Sequence, residues 1–278
     1  MRVGIIGYGF VGKALANGLK NNVNVLKIDP LLNNDIEDLI EFKPDICFIC
    51  VPTPMNEDGS QDISILDHVI KKLISESIRS QVVIKSTILP NHISKFEKLI
   101  PNLVLNPEFL RERCADEDFI NSNLIIFGGN KKSTQMISEF YMKYTNCISK
   151  QHKFTDLKSA SLIKYSINTF LSMKVVFFNQ LQEILSKSGS SIQWQDFIDI
   201  IACDKRVGPS HMQVPGIDGK FGFGGACFPK DCNALIKYSD DIGKPFDLLK
   251  KSTDINNKIR KKYKTLSKRE KEQNINFN

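Results

Sequence analysis

The stretch Gly222-Phe223-Gly224-Gly225-Ala226-Cys227-Phe228-Pro229-Lys230-Asp231 sets a thiol, a lysine and a carboxylate behind three glycines. Three glycines in four positions remove side chains where another molecule must approach the backbone, and Pro229 suits the first turn of a helix. Cys227 then falls at that helix's positive end beside Lys230, a setting that lowers a thiol pKa and makes a nucleophile. The plainer alternative is a small buried cysteine beside a flexible loop, the class assigned to Cys47, Cys50, Cys114, Cys147, Cys203 and Cys232. Lys164 and Asn168 stand one helical turn apart, so both can donate hydrogen bonds from one face to a developing oxyanion. Spacing alone equally allows a snorkelling lysine beside a solvated asparagine. Asn106-Pro107-Glu108-Phe109-Leu110-Arg111-Glu112 reads as a helix cap, a first-turn proline and two carboxylates four residues apart. Carboxylates so placed commonly do no more than complement the helix dipole.

A second kind of chemistry lies at the N-terminus. Gly7-Tyr8-Gly9-Phe10-Val11-Gly12 has the spacing G-x-G-x-x-G, follows an apolar strand-like run and opens a helical pattern (Val11, Ala14, Leu15, Leu19). Backbone N–H groups and the helix dipole would there face a pyrophosphate. Asp29 ends the second strand about twenty residues on, where a carboxylate accepts both ribose hydroxyls and repels a 2′-phosphate, which favours NAD over NADP. Lys85-Ser86-Thr87 closes another strand at the carboxyl edge, where open α/β sheets bind ligands. Cys47 and Cys50 share a strand with no second ligand pair nearby, so no metal site is expected.

These residues need a scaffold, and the hydrophobic pattern describes one. Arg2–Ile6, Val23–Ile28, Asp45–Val51, Gln81–Ser86, Leu103–Leu105 and Leu124–Phe127 read as strands alternating with helical patterns, the signature of a parallel sheet. From Thr155 to about Ser186 the period lengthens to three or four residues (Leu157, Ala160, Lys164, Leu171, Val175, Phe178), which predicts one long helix capped by Thr155-Asp156. A second helix is predicted from Trp194 to Ala202, then a glycine-rich loop over 208–226 and further helices from Pro229. The fold class is therefore α/β: an N-terminal Rossmann-type parallel sheet (1–152), a mainly helical domain built on the long helix (153–265) and a basic tail (266–278).

Composition bounds the rest. The 278 residues are 41% hydrophobic and 25% charged, and no apolar run approaches the eighteen or so residues that span a bilayer. Seven cysteines, an odd number spread thinly, argue for thiols in a reducing compartment, and the glycines and Lys13 interrupt what could pass for a secretion signal. The expected location is the cytoplasm. The net charge of +7 is matched by the stretch from Lys250 to Glu272, where ten Lys/Arg face three acids. Such a cluster reads as a solvated helix end or frayed tail rather than a nucleic-acid surface.

The ordered set of motifs resembles the UDP-glucose/GDP-mannose dehydrogenase family. Gly7 to Gly12 with Asp29, Cys50-Val51-Pro52-Thr53-Pro54, Lys85-Ser86-Thr87, Asn106 to Glu112, Leu162-Ile163-Lys164-Tyr165 with Asn168, Asp204-Lys205-Arg206-Val207-Gly208 and Gly222 to Asp231 carry the resemblance. It implies oxidation of a nucleotide sugar's C6 alcohol, UDP-glucose first, to a carboxylate with two NAD⁺, a product used in polysaccharide biosynthesis. By the same resemblance Cys227 captures the aldehyde, Lys164 and Asn168 stabilise the oxyanion, and Asp231 positions water. One of Glu108 and Glu112 acts as base while the other lines the sugar site. Thr87 orders water and touches NAD, Thr53 and Lys230 contact NAD together with Phe10 and Val11 of the glycine turn, and the loop at Gly224 lines the sugar site. A homodimer through the long helix is implied, with neither nucleic-acid nor membrane partner. The chain departs from the family in having Ser161 where an acid usually precedes the helix lysine, no basic residue within five positions after Asp29, and no counterpart of the third domain that closes over the nucleotide. Two other readings remain: a β-hydroxyacid dehydrogenase making one NADH without Cys227, and a non-catalytic NAD-binding or dimerising module.

Overall fold

A computed structural model describes residues 1–149 and 151–277, and the chain falls into two units, 1–53 with 62–164 and 54–61 with 165–278. The first unit is a seven-stranded sheet of β1 (Arg2–Ile6), β2 (Asn24–Ile28), β3 (Ile46–Ile49), β4 (Gln81–Ile84), β5 (Val104–Leu105), β6 (Ile125–Gly129) and β7 (His152–Thr155), in the spatial order 2-1-3-4-5-6-7. Between the strands run α1 (Phe10–Asn17), α2 (Asp38–Phe42), α3 (Ser64–Ser75), α4 (Pro90–Leu99), α5 (Ala115–Ile120) and α6 (Lys131–Tyr144). The strand order reverses direction at β1, so the loops after β1 and β3 open a crevice at the carboxyl edge, the usual ligand site of a doubly wound sheet.

The central strands are short and, apart from Gln81 at the start of β4, apolar because both faces are covered. Along β3, Cys47 and Ile49 join one core with Leu66, Ile70, Ile84 and Phe96, while Ile46 and Phe48 join the opposite core with Leu15, Val83, Phe127 and Tyr141. This two-residue alternation locks the register, since a one-residue slip would exchange the two cores.

Two features differ from the sequence expectation. β6 pairs antiparallel with β5, because the connection carries only the irregular residues after Leu105, a short 3-10 turn and the six-residue α5, without a full crossover helix. β7 escaped detection because it is an edge strand whose four residues, His152-Lys153-Phe154-Thr155, are all at least partly exposed and carry no apolar run.

The long helix α7 (Leu157–Lys187) begins where Asp156 Oδ1 accepts the Ser159 amide at 2.9 Å, and it ends before Gly189 in a left-handed conformation. Its first turns, through Lys164, belong to the first unit and the remainder to the second. The second unit adds α8 (Trp194–Ala202), α9 (Phe228–Asp241), α10 (Asp247–Arg260) and α11 (Lys268–Glu272), with Phe178, Ile198, Met212 and Val214 in its apolar core. The segment read as a solvated or frayed basic tail is folded: Arg260, Glu270, Ile275 and Phe277 are buried, the two charges because they pair and the two apolar residues because they pack. Asn278, the last residue of that stretch, lies outside the described residues.

Gly128 of β6 sits where a Cβ would come 2.5 Å from Ala160 Cβ of α7 and 2.8 Å from Asp156 O. Gly128→Ala is therefore expected to push the start of α7 off the sheet and lower stability by about 1–3 kcal/mol, measured by urea unfolding.

Candidate active site

In the first unit the glycine turn is set by close backbone approach. Gly7 has φ +91°, and a Cβ there would lie 2.8 Å from the carbonyl of Cys50; a Cβ on Gly12 would lie 2.1 Å from Gly7 O. Only glycines let β1 turn this tightly into α1, whose N-cap is Gly9 and whose first residues are Phe10 and Val11, in the turn where a helix has no internal acceptor for its amides. This cradle fits a pyrophosphate. Asp29 Oδ2 accepts the Tyr8 amide at 2.7 Å and Oδ1 the Leu31 amide at 3.0 Å, which ties the end of β2 to the glycine turn. A carboxylate so held keeps lone pairs for ribose hydroxyls. The basic residues of this rim, missed in the sequence because they precede Asp29, are Lys27 and Lys13, whose ammonium groups lie 4.8 Å and 5.9 Å from the Tyr8 ring centroid. Thr53 is buried and donates to Thr87 O at 2.8 Å, joining the loops that follow β3 and β4, while Thr87 itself is half-buried.

The expected helix at Asn106 to Glu112 is absent. Residues 106–111 form neither helix nor strand, and only Glu112 opens a short 3-10 turn. The physical reason is that Asn106 is occupied elsewhere. Its Oδ1 accepts from Lys85 Nζ at 2.8 Å and from the Tyr141 hydroxyl at 2.6 Å, and its Nδ2 donates to Ile126 O at 2.9 Å. The two glutamates consequently part: Glu112 is exposed and Glu108 is buried. Lys164 Nζ donates to Glu108 O, lies 3.3 Å from Glu108 Oε1 and sits 5.1 Å from the Phe109 ring centroid. The solvated, snorkelling lysine is thus excluded. Burial pulls the Lys85 ammonium below its ordinary pKa, against the nearby Cys50 and Glu108, and nothing in the sequence beyond Lys85 itself signalled this network. Lys85, Asn106, Glu108, Phe109 and Tyr141 line a small pocket.

In the second unit Cys227 is the N-cap residue of α9 and is half-buried. Asp231, one turn into the helix, is fully buried and clamped from both sides: Asn168 Nδ2 donates to Oδ2 at 2.6 Å and Lys230 Nζ to Oδ1 at 2.6 Å. Lys230 directs its ammonium to Asp231, because a fully buried carboxylate requires a charged partner. Tyr165 accepts from Gln61 Nε2 at 3.0 Å, and burial first, then the Asp231 charge, hold its phenol well above the usual pKa. Gly224 is half-buried and lies against the Arg260 guanidinium.

The doubly wound sheet with its glycine cradle defines a dinucleotide-binding protein of the Rossmann type. Comparison with known proteins narrows this further. The NAD-binding-domain model of the UDP-glucose/GDP-mannose dehydrogenase family matches residues 31–145 and the central-domain model of the same family matches 158–258. The chain belongs to that family, and its cofactor is NAD. It is 34% identical over 223 residues to a UDP-glucose 6-dehydrogenase of Rickettsia felis, covering 76% of this chain and 46% of that protein. With a UDP-glucose 6-dehydrogenase of Bacillus subtilis the identity is 31% over 248 residues, covering 85% and 51%. The chain thus spans about half the length of these curated relatives. Among solved structures, a UDP-glucose dehydrogenase from Pyrobaculum islandicum superposes with a TM-score of 0.78 at 23% identity, over 92% of this chain and 67% of that one, which shows a common fold. Among the described residues no helix is long and apolar enough to cross a membrane, and no His/Cys/Asp/Glu group is arranged to hold a metal ion.

Burial pushes the thiols of Cys50 and Cys232 up to about 12 and that of Cys47 up to about 11. A raised thiol pKa keeps the proton on sulfur, leaving at pH 8 roughly one part in a thousand or less as thiolate. Iodoacetamide at pH 8 is therefore expected to leave these three cysteines unmodified in the folded protein and to label them once urea unfolds it, as read by peptide mass spectrometry.

Proposed function

We propose that the protein oxidises the C6 alcohol of a nucleotide sugar, UDP-glucose first among them, to the carboxylate by way of a thioester on Cys227. The observation that carries this reading is the buried Asp231 carboxylate, held by Asn168 and Lys230 one turn from the thiol at the head of α9. A nucleophile at a helix N-terminus with a fixed carboxylate at hand suits capture of a carbonyl and later positioning of water.

Bound NAD⁺ supplies the hydride acceptor for each of two successive oxidations. In the first, the alcohol loses a hydride and a proton and becomes an aldehyde, whose carbonyl carbon Cys227 Sγ attacks to give a thiohemiacetal. In the second, that carbon loses a hydride and its hydroxyl a proton, leaving a thioester. Water then adds, the C–S bond breaks, and the carboxylate leaves with Cys227 restored as a thiol. Lys164 and Asn168 donate hydrogen bonds to the oxyanion in these steps. Asp231 orients the water and takes its proton, and Glu108, buried beside Lys164, is favoured over the exposed Glu112 as the base, with Glu112 lining the sugar site. Thr87 contacts both water and cofactor, Thr53 and Lys230 contact the cofactor, and the loop at Gly224 borders the sugar. Reduced thiols throughout suit the cytoplasm.

A homodimer through α7 completes the proposal. Phe170, Phe177 and Ile184 recur every seven residues on that helix and are each more than 60% exposed, an apolar stripe with the spacing of a helix–helix seam.

Incubation with UDP-glucose and NAD⁺ is expected to yield two NADH per sugar consumed, and Cys227→Ser to abolish uronate formation. A yield of one NADH, or uronate production that survives the serine, would refute the thioester route. Phe177→Asp is expected to convert the dimer to a monomer in analytical ultracentrifugation, whereas an unchanged mass would exclude α7 as the interface.

A further inference from the structure

The loop that carries Cys227 is rich in glycine, and Gly222 and Gly225 both adopt left-handed φ, at +74° and +79°. Such a chain has wide conformational freedom and needs external restraint to present a side chain in one place. The restraint comes from three side chains that accept backbone amides of the loop. Gly222 N donates to Asn179 Oδ1 of α7 at 2.8 Å, Phe223 N to Asn256 Oδ1 of α10 at 2.7 Å, and Gly225 N to Glu270 Oε1 of α11 at 3.0 Å.

Glu270 holds the amide nearest the thiol in sequence, and it is bound on every side. Its Oε1 also accepts from Arg260 Nη2 at 3.0 Å and its Oε2 from the Ser267 amide at 2.7 Å, while Arg260 Nη1 reaches Asp218 Oδ2 at 2.8 Å. The ion pair is almost wholly removed from water, an arrangement that contributes little net stability unless further hydrogen bonds complete it. Gly224 records how closely the pair abuts the loop: a Cβ there would fall 2.2 Å from Arg260 Nη2 and 2.6 Å from Glu270 Oε1. The segment bearing Glu270 is anchored in turn, since Met55 N donates to Gln273 O and Asn274 Nδ2 to Met55 O, both at 3.2 Å, and Ile275 and Phe277 are buried. Burial raises the Glu270 pKa, but the Ser267 and Gly225 amides and the Arg260 charge outweigh it and hold the carboxyl below its ordinary value, so it is an anion at neutral pH.

We propose that Glu270 is a positioning residue: through the Gly225 amide it fixes the path of the loop and thereby the placement of the Cys227 thiol. The proposal rests on the reading of Cys227 as the nucleophile, and it assigns a role in that chemistry to the segment after α10, which the sequence presents only as a run of charge. The carboxylate touches no reacting atom. It acts by removing loop conformations in which the sulfur is misplaced, and a displacement on the order of 1 Å is enough to slow a reaction about a hundredfold.

The test uses the full chain with Glu270→Ala, Glu270→Asp and Glu270→Gln, and with Glu272→Ala as a surface control. Two readouts are taken well below each melting temperature: the iodoacetamide rate at Cys227 by peptide mass spectrometry, and kcat and KM for UDP-glucose oxidation. Alanine, and aspartate whose shorter side chain withdraws from Gly225, are expected to raise the alkylation rate at least fivefold. They are also expected to lower kcat about tenfold or more with KM within threefold. Glutamine, which keeps an oxygen for the Gly225 amide, should restore both values to within twofold of the unaltered protein. A folded alanine or aspartate variant that alkylates at the unaltered rate overturns the proposal, even if its melting temperature has fallen. A glutamine variant as disturbed as alanine does the same. If alanine does not fold, aspartate decides. If the unaltered protein oxidises no nucleotide sugar, the functional reading fails by itself and the alkylation rates still decide the role of Glu270.

Discussion

The burial of the Asp231 carboxylate is the constraint on which the second unit's site turns. A charge taken fully out of water must be met by donors of good geometry, and breaking such a set by removing one partner is strongly destabilising. Asn168 of α7 and Lys230 of α9 meet it at 2.6 Å each, and the charge-assisted bond from Asn168 joins the two helices at that point. Because Asp231 lies one turn from the N-cap of α9, the same junction sets where that helix begins and hence where Cys227 stands. Structure and proposed chemistry therefore draw on the same three side chains.

A comparable economy holds in the first unit. Among the described residues Lys85 enters the core with no carboxylate as a hydrogen-bond partner, and Asn106 and Tyr141 take its donors instead. Asn106 thereby links the end of β4 to β6 through Ile126 O, and residues 106–111 form no helix. That non-helical path brings Glu108 to Lys164, whereas a helix over the same residues would have kept Glu108 on one face with Glu112. The buried polar network is fully connected, the condition under which such networks rigidify a core instead of weakening it.

Several of these features were legible in the residues and others were not, for reasons of range. The glycine turn could be read because each glycine answers a local demand, a left-handed φ at Gly7 and a backbone contact at Gly12. α7 was legible from its long apolar period and its Asp156 cap, and β1 to β6 from short β-branched runs between turn residues. The 106–112 stretch misled because cap, proline and glutamates have a local meaning that a distant lysine and tyrosine override. β7 was hidden because an edge strand carries no buried pattern, and the charged run after Lys258 concealed two charges that neutralise each other.

The amino-acid sequence by itself determined the class of chemistry: a dinucleotide turn, a thiol ahead of a proline-started helix, and lysine, asparagine and carboxylates in family order. These depend on residue type and short spacing, which the chain carries along its length. Tertiary structure alone decided which groups meet. It paired Lys164 with Glu108 and left Glu112 in water, paired Lys230 with Asp231, and drew Glu270 to the Gly225 amide 45 residues away. Pairings of that kind follow from desolvation, because a charge buried by folding takes the partner that the packing brings within reach, whatever its distance along the chain.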